Sequence, residues 1–376
     1  MIKQRMKILM SIFKERVSKL VKSVKVDTVI LTDPVNIFYF TGCFIDPHER
    51  LLALIIDAES EETTMMYPAL DQEIVNDTAT VVNHLAHRDG EDPFRLLFEQ
   101  VGQGQDKSIG IEGGHLIYDR YMKLREEYSA DSICPVDNEV NALRGIKNEE
   151  DREHLQEAVD ITEKALFDLK EEGVIGKTEK DIADYLVGRL KSYGAMDVSF
   201  GPLVLTGENS ALPHGSPGDT EVQRGDYLLI DFGIISESRY VSDMTRTFII
   251  GEPTDEQRDV YNAVYEANLA GIEAAVHGTA MNIVDKQARD VINDSGYGEF
   301  FTHRIGHGLG YGLHEQPSLD SENKEELKIG HVVTVEPGIY QPGFGGVRIE
   351  DALYIGEETH NFNKFPKEID EIILNK

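Results

Sequence analysis

The sequence predicts an α/β (α+β) protein in two parts: a sandwich-like α/β first part, then a larger part built from two similar halves. Three observations carry that expectation. Strand-like and helix-like runs alternate between residues 28 and 128. Beyond residue 150 the order helix–helix–strand–hairpin occurs twice. The chain length, 376 residues, leaves room for more than one domain and for a sizeable core.

The chain opens on an amphipathic helix. Ile2, Met6, Leu9, Met10, Phe13, Val17, Leu20, Val21 and Val24 recur at steps of three and four, which marks one helical face. Eight Lys/Arg accompany the single Glu15 in residues 1–25. No continuous apolar segment or small-residue cleavage site follows, so a signal peptide is rejected. A membrane-surface helix is the alternative to a helix packed on its own domain, and the second is expected. Strands are then expected at 28–32, 37–41, 51–57 and 63–67, a helix at 94–101, a strand at 108–112 and a helix at 118–128. A charged segment at 141–150 opens a long helix through 172, and the domains are placed at 1–143 and 144–376.

In the second part, helices at 150–172 and 178–194 precede strands at 199–207 and a hairpin at 227–249. Helices at 254–277 and 281–295 then precede strands at 300–311 and a hairpin at 331–355. Thr178 with Asp181 and Thr254 with Gln257 have the spacing of capping boxes. Two copies of one element order suggest a pseudo-symmetric domain with a site between its halves.

Composition excludes several function classes. Acidic residues number 68 against 37 basic ones, a formal charge of −31, which repels a phosphate backbone and argues against nucleic acid as a partner. The apolar run at 51–56 is far too short for a bilayer span, so no integral membrane protein is expected. Cys43 and Cys134 cannot make a disulfide framework and fit a reducing compartment. A cytoplasmic location is therefore expected.

Chemistry concentrates in the second part. Asp231 ends an apolar run, YLLID, and Asp243 sits in the return strand of the same hairpin. A carboxylate in such a run is costly to bury unless it is paired, protonated or bound to a cation. Glu336 interrupts HVVTVEPGIY and Glu350 follows Val347, Arg348 and Ile349, so the second hairpin repeats the anomaly. Each acid alone reads as a strand-end residue satisfying a turn, but four in matching positions do not. Between the hairpins lies FTHRIGHGLGYGLHEQP, with His303, His307 and His314 among closely spaced glycines. Those glycines do not form a dinucleotide fingerprint, and the Asp231-Phe232-Gly233 triplet lacks the rest of a kinase signature. No activated Ser or Cys competes.

Four carboxylates and an imidazole can hold two divalent ions if two carboxylates bridge. Oxygen-rich ligation with one nitrogen suits manganese and admits cobalt, zinc or iron. Two ions roughly 3.5–4 Å apart can clamp a water, lower its pKa and polarise a carbonyl. The residues alone therefore point to metal-assisted hydrolysis.

In order and local motif, Asp231, Asp243, His307, Glu336 and Glu350 resemble the ligand set of the dinuclear pita-bread metallopeptidases. That family contains methionine aminopeptidases, aminopeptidase P and prolidases. The likeness runs from about residue 145 onward. The earlier part, through DPVNIFYFTG at 33–42, is similar to the creatinase-type N-terminal domain of the prolidase and aminopeptidase P branch. Creatinase shares the fold without this metal cluster, and five intact ligands argue against it.

The resemblance implies roles. Asp231 and Glu350 would bridge the metals, with Asp243 on one ion and His307 and Glu336 on the other. Glu336 would also take the proton of the bridging water. His214 and His314 would contact substrate and stabilise the tetrahedral intermediate. His303 would lie on the substrate side or behind the ligands, and Arg348 would position the substrate and its carboxylate.

The expected activity is that of an Xaa-Pro dipeptidase acting through a metal-bridging hydroxide, with two divalent ions, manganese first and cobalt or zinc as alternatives. Its partners would be proline-containing dipeptides or short peptides, and a homodimer is implied. Aminopeptidase P, acting on longer Xaa-Pro-Yaa peptides, is the rival enzyme. An inactive peptide-binding module is the rival of another class.

Overall fold

The structure, a computed structural model, describes residues 2–376 apart from 82, 103, 105 and 106, with side chains from residue 10 onward. The chain divides into two compact units, Met1–Arg144 and Gly145–Lys376.

The first unit begins with the helix Ile2–Ser23, whose Phe13, Val17 and Leu20 are buried along one stripe. Its sheet has six strands: β1 (Thr28–Leu31), β2 (Ala53–Asp57), β3 (Thr63–Pro68), β4 (Asn83–His87), β5 (Ile109–Ile111) and β6 (Ile133–Pro135). They run in the order β4-β3-β2-β1-β5-β6. The centre of the sheet, β1 against β2 and β2 against β3, is antiparallel, and the other three pairings are parallel.

The stretch at 37–41 is not a strand. It lies in the helix Pro34–Thr41, and the local chemistry explains why. Asp33 caps the helix through a hydrogen bond from the Val35 N–H, Pro34 starts it with a fixed φ, and Gly42 ends it at φ 74°. Caps at both ends override the strand preference of Ile37, Phe38, Tyr39 and Phe40.

The second unit has the expected twofold element order. Helices Glu149–Glu172 and Glu179–Ser192 accompany a four-stranded sheet containing Leu203–Thr206, Tyr227–Phe232 and Met244–Ile250. Helices Asp255–Ala274 and Met281–Asp294 accompany a five-stranded sheet containing Glu315–Leu319, Gly306–Gly308, Val332–Val335 and Asp351–Tyr354. Capping boxes form at Thr178/Asp181 and Thr254/Gln257, and a third, Asn148/Asp151, opens the long helix. Within 300–311 only Gly306–Gly308 is a strand. A core of aliphatic and aromatic side chains, among them Leu186, Leu228, Phe248, Val264, Val335 and Val347, joins helices and sheets. Among the described residues no helix is long and apolar enough to cross a membrane.

Candidate metal centre and its cavity

Strand register brings the acids together. Asp231 faces Thr245 across an antiparallel pair, and Asp243 immediately precedes the same return strand. In the other sheet Val335 pairs with Asp351, so Glu336 and Glu350 leave adjacent strand ends. His307 lies in Gly306–Gly308, fastened by its N–H to Thr334 Oγ1 at 3.1 Å. The flanking glycines are sterically required. A Cβ on Gly306 would meet the Thr334 carbonyl oxygen at 1.9 Å, and one on Gly308 would meet that of Gln316 at 2.4 Å.

His307 Nε2 stands 3.6 Å from Asp243 Oδ2 and 3.5 Å from Glu336 Oε1. Ligand-type atoms of Asp243, His307 and Glu350, all buried, lie within 4.8 Å of one another. Three carboxylate oxygens here, Asp231 Oδ1, Asp243 Oδ1 and Glu350 Oε1, are buried without a hydrogen-bond partner among the described residues. Buried acceptors are ordinarily satisfied, so three unfilled ones in one place fit a cation.

The electrostatics agree. Burial, then the carboxylates of Glu350, Asp231 and Glu336, raise the Asp243 pKa, and burial with the neighbouring acids raises that of Glu350. Burial pushes Glu336 up to about 7 against the pull of Arg348. His307 is lowered to about 3, chiefly by burial, which keeps its imidazole neutral and able to ligate. Acids crowded this way gain by taking up positive charge.

A cavity of about 570 Å³ opens onto this cluster, and every one of the nine site residues expected from sequence lines it. His214 and His314 are exposed on its loops, and the His314 ring lies 4.3 Å from that of His307, edge on. Two buried carboxylates fix these loops. Glu179, fully buried, accepts from the Thr206 N–H at 2.8 Å, from Asn209 Nδ2 at 3.0 Å and from the Gly218 N–H at 2.7 Å, so it fastens both ends of the His214 loop. Glu315 accepts from Lys147 Nζ at 2.8 Å and from the Gly312 N–H at 2.8 Å, which fixes the chain beside His314.

His303 Nε2 is 2.8 Å from Tyr340 Oη, and burial lowers its pKa to about 4. Arg348 lies behind the acids with each guanidinium nitrogen engaged: Nη2 on Asp231, Nη1 on Tyr340 Oη at 2.8 Å and Nε on Thr245 Oγ1 at 3.1 Å. Thr245 Oγ1 in turn donates to Glu350 Oε2 at 2.9 Å. Below them, buried Arg246 donates to the Glu350 carbonyl at 2.6 Å and to Asp351 Oδ1 at 2.7 Å. Sequence reasoning singled out neither Thr245 nor Tyr340, nor Arg304 on the cavity wall. Arg304 stands three positions before His307 in the histidine segment, and that spacing was the available signal.

Comparison with known proteins finds likenesses over most of the chain. The profile of metallopeptidase family M24 matches residues 153–357, and that of the creatinase/prolidase N-terminal domain matches residues 14–146. An uncharacterized peptidase of Staphylococcus haemolyticus is 36% identical over 92% of this chain and 97% of its own length. An Xaa-Pro dipeptidase from Bacillus anthracis superposes with a TM-score of 0.86 at 31% identity, covering 96% of this chain and 99% of that one. An X-Pro aminopeptidase from Thermotoga maritima gives 0.83 at 28% identity, covering 94% and 99%.

Proposed function

Because the chain belongs to metallopeptidase family M24, whose members bind divalent metals, and carries a creatinase/prolidase N-terminal domain, we propose that it hydrolyses the Xaa-Pro bond of dipeptides. The observation that carries hydrolysis is the set of buried, partnerless carboxylate oxygens converging beside a neutral His307 in an open cavity. Proline specificity is supported by the resemblance to the Bacillus anthracis Xaa-Pro dipeptidase.

Asp231, Asp243, His307, Glu336 and Glu350 would hold two divalent ions, manganese first, with cobalt or zinc as alternatives. When bound, such ions supply a water of lowered pKa and polarise the scissile carbonyl. The side chains do the rest. Glu336 takes up the proton of the attacking water. His214 and His314, on loops held by Glu179 and by the Lys147–Glu315 pair, donate N–H groups where negative charge develops on the substrate oxygen. Proline's amide lacks an N–H and fixes φ, so its recognition rests on shape and on the groups at either end of the peptide.

Matched peptides test the reading. Losing a charge-assisted hydrogen bond to the free carboxylate costs roughly 1.5–3 kcal/mol, or about 10- to 150-fold in kcat/KM. Xaa-Pro is therefore expected to exceed Xaa-Pro-Yaa by at least about tenfold in kcat/KM. Equal or faster cleavage of the longer peptide would replace this assignment with aminopeptidase P, the reading favoured by the likeness to the Thermotoga maritima X-Pro aminopeptidase.

A further inference from the structure

The two glutamates of the cluster sit where a strand pair comes apart. Val335 pairs with Asp351 in the five-stranded sheet, whereas Gly338 pairs with Arg348 in a separate two-stranded sheet. Glu336 and Glu350 fall between those pairings. Among the described residues the one backbone hydrogen bond across the gap runs from the Ile349 N–H to the Pro337 carbonyl at 3.3 Å. Pro337 has no N–H to return a second. The glutamates themselves turn to opposite sides. The Glu336 N–H donates at 2.8 Å to the carbonyl of Ile305, two residues before His307. The Glu350 N–H donates at 3.1 Å to the carbonyl of Thr245, the residue that faces Asp231, and Arg246 holds the Glu350 carbonyl on that same side.

One side chain spans the gap. Asn268, fully buried on the helix Asp255–Ala274, donates from Nδ2 to the Val335 carbonyl at 3.0 Å and to the Ile349 carbonyl at 3.3 Å. Those two residues immediately precede Glu336 and Glu350. The amide cannot turn over. Lys367 Nζ, a donor only, faces Asn268 Oδ1 at 2.5 Å, so the N–H groups must face the carbonyls. Lys367 is held in turn by Asp351, which Arg246 also grips. About one turn further along the helix Gly271 keeps the approach close, since a Cβ there would meet Val335 Cγ1 at 2.7 Å.

We infer that Asn268 is a positioning residue that fixes the separation of Glu336 from Glu350 and thereby allows a second ion to bind. This deepens the proposed function and rests on its two-ion assignment. With Glu350 bridging, the ion held by Asp231, Asp243 and Glu350 draws its ligands from one side of the gap. The ion held by His307 and Glu336 needs Glu350 as well, so its ligands come from both sides. Loosening the gap weakens that ion and spares the other.

The test titrates the metal-free full chain with manganese, without peptide, and compares the parent with Asn268→Asp. That substitution puts an acceptor in place of the donating group at nearly constant shape, with its added charge answered by Lys367. Calorimetry reads stoichiometry and affinity, and electron paramagnetic resonance tells a coupled manganese pair from an isolated ion. The parent should bind a coupled pair. Asn268→Asp should bind one ion within about threefold of the parent and the other at least about tenfold more weakly. It should show the isolated-ion spectrum at manganese concentrations that fill both sites of the parent. Val264→Ala, a core truncation in the same helix, measures plain destabilisation; it should lower the melting temperature and keep both affinities. Equal weakening of both ions in Asn268→Asp, parent-like binding of both, or the same selective loss in Val264→Ala overturns the inference. Should the aspartate variant fail to fold, Asn268→Ser, whose single hydroxyl proton serves one carbonyl at most, decides by the same readings. Failure of both to fold would make Asn268 a requirement of the fold and overturn the inference too. A parent that binds only one ion brings down the two-ion assignment before any variant is compared, and the inference with it. A parent that binds the pair yet cuts no Xaa-Pro bond loses the substrate assignment alone, and the titration still decides on Asn268.

Discussion

Glu112 in the first unit and the acids of the second unit are all carboxylates taken out of water, yet they are accommodated in opposite ways. Glu112 is 2% exposed and accepts from the backbone N–H groups of Thr32 and Asp33, from Thr32 Oγ1 and from Asn36 Nδ2. Both its oxygens are used, and the arrangement fixes the turn that starts the helix Pro34–Thr41. Asp231, Asp243 and Glu350 each keep an oxygen that no group among the described residues fills. Burial raises the pKa of Glu112 and of the cluster acids Asp243 and Glu350 alike. Burial and a perturbed pKa therefore do not by themselves distinguish a structural acid from a functional one. The unfilled acceptor does.

That contrast can be broken experimentally, and the largest effect is expected at the cluster. Asp243→Asn should lower bound metal and reduce turnover by on the order of a hundredfold or more, and chelation of the parent should abolish hydrolysis until manganese or cobalt is returned. In metal-free protein the same substitution should raise the melting temperature, because one of the crowded acids is gone. Full activity in rigorously metal-free protein would remove the basis for the comparison.

A smaller effect should separate groups that hold metal from groups that meet substrate. His214→Ala and His314→Ala are expected to keep the parent's metal content while losing roughly a hundredfold in kcat, the scale of one lost donor to a developing oxyanion. Elemental analysis beside kinetics checks this, and loss of metal in either variant would make that histidine a ligand.

The smallest functional effect is expected at Glu112. Burial pushes this group up to about 7 from an ordinary 4.5, so the folded chain retains a proton that the unfolded chain gives up. Its contribution to stability is complete below about pH 4.5 and is lost as pH rises through about 7. Glu112→Gln should flatten the fall in unfolding free energy across that interval, a change of a few kcal/mol at most, and leave metal content and kcat unaltered. An unchanged pH slope in denaturant titrations would show that the hydrogen bonds hold Glu112 ionised throughout.

Much of the fold was legible because its signals are local. The capping boxes at Thr178 and Thr254 occupy four residues each, and both form. At 37–41 the side chains favour a strand, whereas the outcome was written in Asp33, Pro34 and Gly42 around them. Strand β4 and the helix Gln72–Thr78 escaped notice because they are short and largely polar. In the site, the acids stood out because each interrupts or ends an apolar run. The state of Arg348 was not legible. Whether its guanidinium is engaged depends on Thr245, 103 positions away, and on Tyr340 across a hairpin. Nor could a sequence distinguish Glu112 from any other acid at the end of a strand, since its donors lie about eighty positions away.

Glu179 bears on how such a chain can change over generations. By gripping Thr206, Asn209 and Gly218 it settles where the His214 loop leaves and rejoins the body, independently of what lies between. With the anchor points fixed, closure entropy grows only slowly with added residues, by about 0.6 kcal/mol for each doubling of a flexible loop. Added length between Asn209 and Gly218 therefore costs the fold little, although any change that moves His214 costs turnover, while Asp231 and Asp243 stay where their strands hold them. One buried carboxylate thus marks the border between a segment whose length the fold tolerates and the strands that must keep still.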